Sequence, residues 1–149
     1  MKKLILFVAA LTVAAASQAQ LPGLRKRTGP PPAEAIAQGI DAQRTEFAAQ
    51  SGGTTIFFGA ESVGLGVPAR TTLAAQAAWL RRHPEVVVRV EGYGDTTDTR
   101  DHAIAVGAQR ADAVRAYLIL MGVPAAQLSI TSWGKERPGL GRAVTVLVR

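Results

Sequence analysis

Apolar positions recur along this chain with two periods. In PARTTLAAQAAWLRRHP, residues 68–84, Leu73, Ala77 and Leu80 fall at i, i+4 and i+7, one face of a helix of about four turns that Pro68 opens and Pro84 closes. A second stripe, Ile104, Ala108, Ala111, Val114, Leu118 and Met121, predicts a longer helix from near Asp101 to Met121, with Gly122 at the C-cap. Arg110 falls at the rim of that stripe. Runs rich in β-branched and aromatic residues predict strands at TTIFF (54–58), EVVVRVEGYGD (85–95), QLSITSW (127–133) and AVTVLV (143–148). The valines of the second run are dense enough for burial on both faces. An alanine-rich, helix-compatible stretch from Ala33 to Gln50 ends at Ser51-Gly52-Gly53. From residue 54 the order is βαβαββ, which predicts an α+β two-layer sandwich with both helices on one face of a mixed four-stranded sheet.

The start of the chain sets the compartment. Lys2 and Lys3 precede an uncharged run from Leu4 to Ala16, followed by Ser17 and Ala19, the pattern of a secretory leader cleaved after Ala19. Thirteen residues are well short of the roughly 20 that span a bilayer. The expected organisation is a cleaved leader (1–19), a basic proline-rich linker (20–33), an N-terminal helix (34–53) and a C-terminal domain (54–149). Cysteine is absent, which excludes disulfides, thiolate chemistry and lipid attachment through sulfur. Without Lys2 and Lys3 the charge falls from +6 to +4. An exported chain without an aromatic-rich basic stripe points away from nucleic acid and towards anionic wall or lipid neighbours.

The apolar strand 85–95 stops at Asp95, and Arg110 follows inside the next helix. The loop from Thr96 to Arg100 reaches at most about 17 Å, and the helix climbs back about 14 Å between Asp101 and Arg110. Arg110 therefore returns to the level of Asp95. A carboxylate and a guanidinium facing one space suit a zwitterionic head group. The same spacing also allows the two to pair with each other, or Asp95 to cap the turn into the helix.

Other chemistry is thinly supported. A hydrolytic triad from Asp101, His102 and a distant serine fails because adjacent helical residues diverge by about 100°. No clustered ligand set suggests a metal. The GLG triplets at 64–66 and 139–141 read as turns, and Trp79 and Trp133 as core residues. No catalysis and no cofactor are expected.

Two stretches carry a resemblance. LAAQAAWLRRHPEVVVRVEGYGD and IAVGAQRADAVRAYLILMGVPAAQLSITSWGKERP resemble, motif by motif and in order, the OmpA-like C-terminal domain shared by outer-membrane protein A, flagellar motor protein B and the peptidoglycan-associated lipoproteins; the likeness covers about residues 54–149. The resemblance implies noncovalent binding of peptidoglycan in the periplasm, at the outer membrane or wall. In the family, the strand-end aspartate takes the ammonium of the diaminopimelate side chain and the helical arginine its carboxylate, roles that land on Asp95 and Arg110. Arg142 matches the basic position before the last strand. The chain departs from the pattern at Phe58-Gly59-Ala60-Glu61, at Ala103 and at Leu140. An OmpA-like domain that has become a protein-interaction module of the envelope is therefore the alternative.

Overall fold

Residues 31–137 and 141–148 are described by a computed structural model. The expected leader, residues 20–30 of the expected linker, and Leu140 lie outside the described residues.

Helix α1 (Pro32–Ser51) opens on a proline and ends at Gly52, whose φ of 73° is the left-handed conformation a C-cap needs. Its start precedes the expected boundary at 34 by two residues, within the usual spread of helix ends. There follow β1 (Thr55–Phe57), α2 (Val67–Arg82), β2 (Val88–Tyr93), α3 (Arg100–Leu120), a short 3-10 turn (Ala125–Gln127), β3 (Leu128–Gly134) and β4 (Arg142–Leu147). The sheet order is β1-β4-β2-β3. Strand β2 runs parallel to β3 and antiparallel to β4, so the sheet is mixed, as the βαβαββ order requires. The fold is the expected α+β sandwich.

The core lies between the sheet and the helices. Leu73 and Leu80 of α2, Val114 and Leu118 of α3, and Val88 and Val90 of β2 are fully buried, joined by Ile56, Ala143 and Leu147. Burial of six such side chains contributes about 2 kcal/mol each before chain entropy is counted. The valines of β2 do not fill both faces. The other face carries Arg89, Glu91 and Tyr93, where Arg89 Nη2 lies 2.9 Å from Glu91 Oε1 and the Tyr93 hydroxyl donates to Glu91 at 3.0 Å. Trp133 belongs to that polar face rather than the core, with the Arg137 guanidinium 3.6 Å above its ring. Trp79 is in the core, edge-on to Phe47 of α1.

Helix α3 is rotated from the predicted stripe. It presents Ala103, Gly107, Arg110, Ala111, Val114 and Leu118 inward, and Ile104 stays partly exposed. Small residues set that rotation: a Cβ on Gly92 would overlap the carbonyl of Gly107, and one on Gly94 the backbone of Ala103. Helix and strand therefore touch backbone to backbone at the C-terminal end of β2.

The outer edge of β4 is closed in two ways. Strand β1 pairs only with Arg142 to Val144. Beyond that, the Thr54 carbonyl accepts from the Thr145 amide at 2.9 Å, and Arg44 of α1 donates from Nε and Nη2 to the Leu147 carbonyl at 3.2 and 3.0 Å.

Candidate functional site

The Gly92–Gly107 contact delivers Arg110 to the site, because it draws α3 close enough for an inward side chain to reach past the end of β2. Thr99 caps α3 by accepting from the His102 amide at 3.4 Å. Arg110, about three turns further on, returns to Asp95, with Nη1 3.1 Å from Oδ1. The geometric expectation for this pair holds.

Arg110 is not at the rim of the stripe but at its centre, with no exposed surface. Its guanidinium donates from Nε to the Ser62 carbonyl at 2.9 Å and from Nη2 to the Gly59 carbonyl at 3.2 Å. Nη1 donates to the Tyr93 carbonyl at 2.7 Å and to Asp95. Four bonds use four of the five N–H groups an arginine has, which removes the desolvation penalty of an unpaired buried charge. The ring of Phe58 lies 5.5 Å from Cζ.

Asp95 is held from a second side, its Oδ2 accepting from the Glu61 amide at 3.0 Å. That amide, then the Arg110 hydrogen bond, keeps the Asp95 carboxyl below its ordinary range; partial burial pushes the other way and loses. A carboxyl whose folded value is depressed adds stability above its unfolded value, about 3.9, and that stability is lost as pH falls through the folded value. Asp95→Asn should therefore cost stability at pH 7 and progressively less below about pH 4. Urea midpoints of the two proteins at pH 7 and pH 3 test this; an equal gap at both would show that the charge on Asp95 is immaterial.

Above the pair opens a cleft of about 410 Å³ lined by Phe58, Ala60, Glu61, Asp95, Thr97 and Gly141. Its charged lining is two carboxylates, Glu61 and Asp95, of which Asp95 is paired with the buried Arg110. The structure does not bring Arg142 into this lining. Its guanidinium sits 4.9 Å over the ring of Tyr93, on the polar face of the sheet. Ala103 is buried against Gly94 and offers the cleft no polar side chain. His102 Nε2 lies 3.6 Å from Asp98 rather than beside Asp101. Among the described residues no three His, Asp or Glu side chains gather as metal ligands.

The part that pattern reading missed is the turn from Gly59 to Ser62. Its contributions are two carbonyls and one amide, which no side-chain motif announces. A signal was present in the departure at Phe58-Gly59-Ala60-Glu61. In the structure Glu61 has a φ of 51°, the left-handed region that non-glycine residues rarely occupy.

The sequence profile of the OmpA family matches residues 57–144. A peptidoglycan-associated lipoprotein of Agrobacterium fabrum is 43% identical over 86 residues, covering 58% of this chain and 49% of that protein. One from Pseudomonas aeruginosa is 39% identical over 99 residues, covering 66% and 58%. The chain thus spans about half the length of the curated relatives it matches. The crystal structure of the peptidoglycan-associated lipoprotein from Burkholderia pseudomallei superposes with a TM-score of 0.62 at 29% identity, over 64% of this chain and 90% of that one. The C-terminal domain of MotB from Helicobacter pylori shares the fold, with a TM-score of 0.59 at 23% identity, over 64% and 84%.

Proposed function

The chain belongs to the OmpA family, and on that footing we propose that its domain is a non-catalytic module that binds peptidoglycan noncovalently, taking a diaminopimelate side chain of a stem peptide at Asp95 and Arg110. The observation that carries this reading is the pair itself: a deprotonated carboxylate at the floor of an open cleft, 3.1 Å from a guanidinium. The ammonium of the ligand goes to Asp95 and its carboxylate to Arg110, a complementarity of two charge-assisted contacts. Arg142, next in the chain to the cleft-lining Gly141 but seated over the Tyr93 ring outside the lining, completes the proposed set. The names of the relatives, peptidoglycan-associated lipoproteins, support the class of ligand. The proposed place is the periplasm, after cleavage at Ala19; intact mass of the exported protein should put its start within a few residues of Gln20.

Co-sedimentation with purified sacculi tests the site. Asp95→Asn keeps the shape but has one acceptor oxygen where the carboxylate has two, so it accepts from Arg110 or from the Glu61 amide and not from both, and it removes the charge an ammonium needs. It should weaken retention on diaminopimelate-type sacculi about ten- to a hundredfold, the equivalent of one charge-assisted bond of about 1.5–3 kcal/mol. Lysine-type sacculi should retain wild type less well. Equal retention of wild type and Asp95→Asn would move the assignment to the second reading, a protein-interaction module of the envelope. That reading draws on the complete burial of Arg110.

A further inference from the structure

The buried arginine raises a question that the proposed function leaves open, since a ligand carboxylate cannot reach a guanidinium with no exposed surface. Arginine grips a carboxylate best along one edge, with two parallel N–H groups. In this domain the Nε and Nη2 edge is occupied by the carbonyls of Ser62 and Gly59, and Nη1 by Tyr93 and Asp95. The same turn places the Glu61 amide on Asp95 Oδ2. Residues 59–62 thus offer one donor to the aspartate and two acceptors to the arginine. That is the bonding pattern of an amino-acid head group: N–H towards the carboxylate, a pair of oxygens towards the guanidinium.

We infer that the Gly59–Ser62 turn is an internal mimic of the zwitterionic ligand and the element that determines specificity at this cleft. The inference rests on the reading of the site given above. A ligand bearing both charges replaces the turn at both partners, exchanging neutral carbonyls for a carboxylate and a peptide N–H for an ammonium, each exchange giving the stronger, charge-assisted bond. A ligand with an ammonium alone can replace only the Glu61 amide and leaves the arginine edge with the turn. Discrimination between diaminopimelate and lysine therefore depends on withdrawal of the turn. Apparent affinity is lowered by the fraction of molecules in which the turn is seated.

The anchors of the turn are few. Ser62 N–H donates to the Gly59 carbonyl at 3.0 Å, Phe58 N–H to the Gly141 carbonyl at 2.6 Å, and Gly64 N–H to Ser62 Oγ at 3.1 Å. In the seated form Glu61 holds a left-handed φ of 51°, a costly conformation for a non-glycine residue, which makes that form cheaper to leave. Ala60 and Glu61 are exposed, so no core contact resists the movement.

Isotope-labelled mature protein, titrated with a free stem peptide carrying diaminopimelate or with its lysine counterpart, tests this by NMR. With the diaminopimelate peptide, the Glu61 amide and the Arg110 Nε–H resonances should move along one curve with one midpoint. With the lysine peptide, the Arg110 Nε–H should stay in place. Movement of Thr96–Asp98 amides by the diaminopimelate peptide while Glu61 and Arg110 hold still would overturn the mimic and leave standing only that the cleft beside Asp95 binds the stem peptide. Silence of every resonance with both peptides would sink the ligand assignment and the mimic together. A variant gives the opposite sign from an ordinary loss: Glu61→Pro removes the amide donor and forbids a positive φ, so it should bind the diaminopimelate peptide several-fold more tightly. Unchanged or weaker binding by a folded Glu61→Pro protein would count against the mimic.

Discussion

Gly92→Ala should leave almost no folded protein. The added Cβ would fall onto the carbonyl of Gly107, and both sides of that contact are backbone, so no rotamer change relieves it. Strand β2 is held between β3 and β4, and α3 is held by Val114 and Leu118 in the core. Separating them enough to admit a methyl group would open the cavity that such burial closes. A loss above about 4 kcal/mol is expected, against a total stability of about 5–15 kcal/mol. Soluble yield and urea midpoint measure it, with Gly64→Ala as the control, since a Cβ there meets only Ser62 Oγ at 3.5 Å. A Gly92→Ala midpoint within experimental error of wild type would mean that the helix does not sit on the strand as described.

Arg110→Met should cost about 3–5 kcal/mol, the range for breaking a buried ion pair from one side. The methionine fills much of the volume but leaves the carbonyls of Gly59, Ser62 and Tyr93, and one face of Asp95, without their donors. Arg110→Lys should recover little, because one ammonium cannot send donors along the divergent directions that the planar fork serves. Chemical denaturation of the three proteins at pH 7 decides it; a wild-type midpoint for Arg110→Met would mean that the guanidinium is not seated in this bonding network. The consequence for binding studies is direct. Loss of sacculus retention on removing Arg110 reports on folding as much as on ligand, which is why Asp95→Asn is the informative variant.

The helices and strands were legible because their apolar residues repeat at periods of 3.6 and 2, and the meeting of Asp95 with Arg110 was legible because loop length and helix rise bound it. The orientation of α3 was not. Counting apolar residues put Ile104 on the inner face and Arg110 at the rim, whereas close approach selects small residues, so Ala103 and Gly107 turn inward and carry Arg110 with them. The apolar neighbours of Trp133 in sequence suggest the core, but alternation along β3 puts it on the polar face under Arg137. Likeness of sequence points to Arg142 as a site residue, and alternation along β4 places its guanidinium over Tyr93. The turn at 59–62 was the least legible part, since its partners are carbonyls that every residue possesses.

Arg44 gives the N-terminal helix a part in the assembly behaviour of the whole molecule. An edge strand with bare carbonyls invites a strand from another chain, and such recruitment is a common route to fibrils. Here a side chain from outside the region that matches the family, residues 57–144, takes the Leu147 carbonyl with two donors, while Phe47, fully buried, bolts the same helix to Trp79. The helix therefore works as a molecular doorstop against sheet growth. A fragment intended to stay monodisperse at high concentration should therefore begin near residue 32, where α1 starts, 25 residues upstream of the family match that begins at residue 57.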